Sequence, residues 1–288
     1  RSFLLIGLAM VSFLLWQQWQ LDYGPKPVAP SPTSMTQSDL TQSTEGNSDA
    51  PQIINPEQTS IAGSTNTNSK IISVITDTLI LSIDTKGGDV ISANLADFPL
   101  KQGSAESYSL LRPSGEHLFV AQSGLVGRDG TDSKIRPTYS VPKDNYELEG
   151  NTLTVPLSYT NEDGMTVNKN FVFTRGSHQI DVDFVITNNS SATKQVQQFG
   201  QFKQSMVENG GSMFMPTYRG GAYSTEEDRY EKYSYDDMTD KKLNETTKAG
   251  WAAMIEHYFV SAWVPPQDET NNIFSAVRQN TNAVIGFT

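Results

Sequence analysis

The chain has 288 residues, 36% of them apolar and 18% charged, enough to bury one sizeable core or two small ones. A formal net charge of -11 disfavours nucleic acid and anionic lipid surfaces as partners, because both recruit clustered Lys and Arg. Zero cysteines exclude a disulfide framework and thiol chemistry, without placing the chain in the cytosol, since a large core needs no disulfide.

The first predicted element is RSFLLIGLAMVSFLLWQQWQ. Phe3, Leu4, Leu5, Ile6 and Leu8, followed by Phe13, Leu14, Leu15 and Trp16, belong to one run without charge. Its about 14 residues fall short of the roughly 20 that cross a hydrocarbon core of about 30 Å. Trp16 and Trp19, with the intervening glutamines, extend it to about Leu21 by sitting at the headgroup level. Three readings compete: a cleaved export signal, a buried core helix and a permanent anchor. The bulky LLWQQWQ that follows lacks a small-residue cleavage site, and the run has no polar face for a core helix to expose. A transmembrane signal-anchor helix over 1–21, held in the lipid bilayer, is the expectation. The sequence opens on arginine and is expected to lack a few N-terminal residues. Arg1 before the run and Asp22 after it favour a cytoplasmic N-terminus, with Lys26 arguing the other way.

Residues 22–69 are rich in Pro, Ser, Thr, Asn and Gln and poor in aromatics. Such a segment buries too little apolar surface to offset the entropy of ordering, so a flexible polar linker is predicted. A coil of about 45 residues reaches some 35 to 40 Å. It serves either as a tether of set reach or as an idle connector.

From Lys70 onward the texture is short apolar runs and turns. Leu79, Leu81 and Ile83 alternate ahead of a Gly87-Gly88 turn. Val155, Leu157 and Tyr159 lead to a turn at Asn161–Gly164, then Val167, Phe171 and Phe173, and after Arg175-Gly176, Ile180, Val182 and Phe184. Hairpins at this spacing, without intervening amphipathic helices, predict a mainly β domain over 70–288, a sandwich or barrel. One helix is predicted in MIEHYFVSAWV, where Met254, Tyr258 and Ala262 share a face.

Motifs for chemistry are sparse. Patterns for phosphate cradling, nucleophile elbows and zinc proteases are absent, and His117, His178 and His257 lie far apart, so no catalytic residue, metal or cofactor is expected. Asp181 and Asp183 read as the solvated reverse of a strand whose other face is Ile180, Val182 and Phe184. Tyr218, Tyr223, Tyr230, Tyr233 and Tyr235 gather around Arg219 and Arg229. They form either a protein or glycan contact surface or an excursion packed on a sheet.

An anchor ending in LLWQQWQ, a polar linker, and then TKGGDV, AQSGLVGRDG, FGQFKQS, YRGGAYST, YEKYSYDD and AGWAAMIEHYFVSAWVPP in this order resemble the YidC membrane protein insertase family of Gram-negative bacteria. The resemblance implies an uncleaved anchor in the inner membrane and a periplasmic β-supersandwich similar to sugar mutarotases. It further implies a role in inserting and folding nascent inner-membrane proteins, alone or with the Sec translocon. The family's insertion groove belongs to a later five-helix membrane core, so this chain is expected to be the anchor and most of the periplasmic domain. A Sec accessory subunit is expected on roughly 215–265, which makes Tyr218, Arg219, Tyr223, Arg229, Tyr230 and Tyr233 candidate partner-binding residues. Mutarotase activity does not follow from the fold. A membrane-anchored carbohydrate-binding or carbohydrate-active protein and a freestanding scaffold are the alternatives.

Overall fold

The computed structural model describes residues 49–51, 69–207, 217–256 and 258–288. The predicted anchor, with all its named residues from Phe3 to Trp19, and most of the predicted linker lie outside the described residues.

Alternation builds the first strands. β1 (Ile71–Ile75) buries Ile72 and Val74, and β2 (Leu79–Asp84) buries Leu79, Leu81 and Ile83, each at period two. Gly87 and Gly88, at φ 77° and 62°, turn the chain where a side chain would strain it, and β3 (Asp89–Pro99) returns along β2. β4 (Ser107–Leu111) pairs with β3, β5 (Phe119–Val126) joins β3 at Val90, and β6 (Asn145–Glu147) lies parallel to β1.

A separate three-stranded meander follows: β7 (Thr152–Thr160), β8 (Met165–Thr174) and β9 (Ile180–Asn188). These are the hairpins predicted from Val155 to Phe184. β8 turns Met165, Val167, Lys169, Phe171 and Phe173 inward, so a lysine occupies a core position. Asp181 and Asp183 face solvent along β9, as the alternation predicted.

The last third weaves between two sheets. β10 (Gln197–Ser205) pairs with β5. β11 (Arg219–Ser224) and β12 (Glu231–Tyr233) form a hairpin, and the short helix α1 (Tyr235–Asp240) starts from a capping box between Ser234 and Asp237. β13 (Asn244–Thr247), β14 (Trp251–Glu256), β15 (Phe259–Trp263), β16 (Asn271–Arg278) and β17 (Asn282–Phe287) complete the chain. The sheet orders are β13-β16-β17-β10-β5-β3-β2-β1-β6 with β4 on β3, then β12-β11-β14-β15, then β7-β8-β9. One apolar core joins all three, through Leu81 and Phe202, Leu157 and Phe171, and Ala252 and Met254. The described residues are therefore a mainly β, sheet-on-sheet domain.

The predicted helix at MIEHYFVSAWV is a correction. Met254 lies in β14 and Ala262 in β15, antiparallel neighbours with Met254 opposite Ser261. A spacing of four residues is a multiple of two as well as about one helical turn, so Met254, Tyr258 and Ala262 fit either period. Phe259, Val260 and Trp263 supply the aromatic and β-branched bias that decides for strand. Another departure is at Asp49–Pro51, inside the span predicted as linker: Ala50 is 2% exposed and Pro51 is buried against the domain.

Candidate functional site

β9 and β15 are each the last strand of their sheet, with a hydrogen-bonded neighbour on one side only among the described residues. A groove of about 1200 Å³ lies between them. Every residue from His178 to Phe184 lines one wall, and every residue from Tyr258 to Gln267 lines the other. The runs include residues from both faces of each strand and continue past the ends of β15.

Apolar side chains shape the space. Phe98, 43% exposed, stands edge-on to Phe259 at 5.6 Å and to His178 at 6.1 Å, bridging the walls. Tyr108 stacks on Phe259 at 4.4 Å, and Trp263 leans on Phe202 and Phe287 from the opposite end of β15. Gly200 makes room for that indole, since a Cβ there would lie 2.8 Å from Trp263 and 2.6 Å from Phe287. Asp181 and Asp183 are the charged residues among the lining, giving the groove an acidic wall. Ser261 Oγ and Trp263 Nε1 are buried without a hydrogen-bond partner, and both residues line the groove. Both orphaned groups belong to β15, an edge strand among the described residues.

The tyrosine-rich segment divides into inward and outward groups. Arg219 does not present a contact surface: its side chain is 3% exposed, and its Nε lies 3.2 Å from Glu256. Arg112 Nη2 donates to both oxygens of the same carboxylate at 2.7 and 2.6 Å, so Glu256 is shared by two guanidinium groups. Tyr218 donates to the Gly221 carbonyl at 2.6 Å, under the Lys232 ammonium, and burial helped by Tyr230 pushes its hydroxyl up to about 12. Tyr233 donates to the Lys241 carbonyl and meets Tyr223 edge-on at 6.0 Å. Tyr235 donates to Gln204 at 2.6 Å, and its hydroxyl is raised by burial. Sheet packing accounts for these. Exposed Arg229 and Tyr230, the latter 51% exposed and leaning on Trp251, are the candidates left on the surface.

A buried ionic cluster was missed by sequence reasoning. Lys169, fully buried, donates to the carbonyls of Gly87, Gly88 and Ser123 at 3.0, 2.7 and 2.9 Å. It thereby ties β8 to the β2–β3 turn and to β5. Burial pulls its ammonium down to about 7, against the attraction of Asp89. Arg136 pairs with Asp89 and, at 2.7 Å, with Asp132, which itself accepts from the Leu125 amide. Burial opposes the Arg136 charge, yet the two carboxylates hold its pKa raised. Among the described residues no group of three or more His, Asp or Glu could hold a metal ion. No described helix is long and apolar enough to cross a membrane.

The described residues thus form a mainly β domain with a largely apolar groove flanked by the edge strands β9 and β15. The family model for the YidC periplasmic domain matches residues 71–288, and the chain belongs to that family. The chain is 60% identical over its whole length to a membrane protein insertase YidC of Pseudoalteromonas atlantica, covering 52% of that protein. Relatives of the same name from Shewanella piezotolerans and Shewanella frigidimarina are 47% and 45% identical, each covered to 52%. The chain thus spans about half the length of the curated relatives it matches. A crystal structure of a galactose mutarotase related enzyme from Lactobacillus acidophilus aligns over 75% of this chain and 84% of its own, with a TM-score of 0.48 and 12% identity.

Proposed function

We propose that this chain is the anchor and periplasmic accessory part of a membrane protein insertase that inserts and helps fold inner-membrane proteins, alone or with the Sec translocon. The domain acts by contact, without catalysis: its groove takes an extended apolar stretch of a nascent inner-membrane protein as an added strand between β9 and β15. The observation that carries this reading is that β9 and β15, both edge strands among the described residues, flank the groove, in a chain whose relatives bear the insertase name across its full length. The inner-membrane anchor over 1–21, the linker over 22–69, the supersandwich of mutarotase type and a Sec accessory subunit docking near Arg229 and Tyr230 are parts of the same proposal.

The test places a photo-crosslinking residue at Val260, which is 61% exposed on the groove wall, in the full-length protein in inner-membrane vesicles carrying arrested nascent chains. Crosslinks to the apolar segments of the nascent chain are expected from Val260, at least fivefold above those from Ile71, which lies outside the groove lining. Equal yields from the two positions, or millimolar binding of a cell-wall glycan that Trp263→Ala abolishes, would reject the reading.

A further inference from the structure

β10 has two faces. Phe202 points into the common core, whereas Phe199, Gln201 and Lys203 alternate onto the opposite face. Asp49, Ala50 and Pro51 lie across that second face. Gln201 Nε2 donates to the Asp49 carbonyl at 2.7 Å, and the Lys203 ammonium meets the Asp49 carboxylate at 2.9 Å. Ala50 is buried with Val126 and Phe199 in a small apolar cluster separate from the main core. Asp49 thus uses its carbonyl and its carboxylate, and Ala50 its methyl group, each with a partner built by β5 or β10.

The partners are not isolated surface groups. Gln201 Nε2 also donates to Gln122 Oε1 at 3.0 Å, and Gln122 Nε2 donates to Asp89 at 2.9 Å. Asp89 pairs with Arg136, which pairs with Asp132 and stands 5.4 Å over the Phe199 ring. Each amide is held in one orientation, because flipping Gln122 would set its oxygen against the Asp89 carboxylate. Gln201 is buried, so its outward N–H requires an acceptor, and the Asp49 carbonyl supplies it. The docked tripeptide is the outer end of a hydrogen-bonded chain rooted in the buried ions.

We propose that Asp49–Pro51 is a clip: the outer face of β10 is a docking site for the chain's own N-terminal flank. Whatever restraint arrives through residue 48 then enters the ten-stranded sheet at Gln201 and Lys203, in its middle, and bypasses 52–68 and the start of β1. The linker predicted over 22–69 is divided by a fixed point, and about 27 residues, not about 48, set the distance over which the domain is tethered. Nothing in the clip depends on the groove or on its ligand.

The test uses the intact protein in its membrane. A water-soluble carbodiimide, which joins a carboxylate to an amine only where they touch, should give an Asp49–Lys203 amide recoverable by mass spectrometry. Hydrogen exchange of residues 46–51 should accelerate at least fivefold in Lys203→Glu, which sets two carboxylates against each other, and return to the wild-type rate when Asp49→Lys is added. Absence of the amide in the wild type, or exchange that is equally fast in all three proteins, would overturn the clip.

Discussion

At the scale of single residues, Lys169 is the most exacting position. Its ammonium is fully buried and satisfied by three carbonyl oxygens, one for each of its protons. In the unfolded chain it keeps its charge up to about pH 10.4, while burial brings the folded value to about 7. Between those values the unfolded chain binds more protons, so this group makes stability rise with pH across that window. Compared with Lys169→Met, the wild type should gain stability as the pH rises from about 7 toward 10, read from urea midpoints. Parallel profiles for the two proteins would contradict this. The residue was partly legible: Met165, Val167, Phe171 and Phe173 mark the inward register, and a lysine in that register is an anomaly visible without coordinates. Its partners were not legible, because Asp89, Asp132 and Arg136 meet only after strands far apart in sequence have paired.

At the scale of elements, period two carried the reading in β2 and in β7 to β9, where residues alternate inward and outward and the hairpins are local. It failed at β14 and β15, whose register rests on partners the sequence does not display: β14 is sandwiched between β11 and β15. The tyrosine-rich excursion divides for a similar reason. β11 feeds Arg219 under the sheet to Glu256, its cross-strand neighbour, whereas Arg229 and Tyr230 fall in the open turn between β11 and β12. Composition marked that segment correctly as unusual, but only pairing tells which of its side chains face outward. The pair Arg229→Glu and Tyr230→Ala should therefore reduce crosslinking to Sec components several-fold with the thermal midpoint within about 2 °C of the wild type, as surface changes rarely exceed ~0.5 kcal/mol. Unchanged crosslinking would remove this turn from the partner surface.

At the scale of the whole molecule, three sheets share one core yet leave two strand edges facing a common groove. Exposed edges are ordinarily blunted because they recruit further strands. Here both edges border one groove of about 1200 Å³ with Phe98 bridging its walls. The sequence announced strands and turns, but an edge is defined by what does not pair with it, and that is a property of the assembled sheets. In the binding mode proposed, an extended apolar segment hydrogen-bonds to both edges at once. Its most direct test is amide hydrogen exchange of the full protein with an apolar, strand-forming peptide bearing one lysine for the acidic wall, beside the same peptide N-methylated at alternate residues. Exchange should slow at least tenfold along both His178–Phe184 and Phe259–Val264 with the first peptide and stay unchanged with the second. Slowing on neither strand, or equal slowing by the N-methylated peptide, would contradict it.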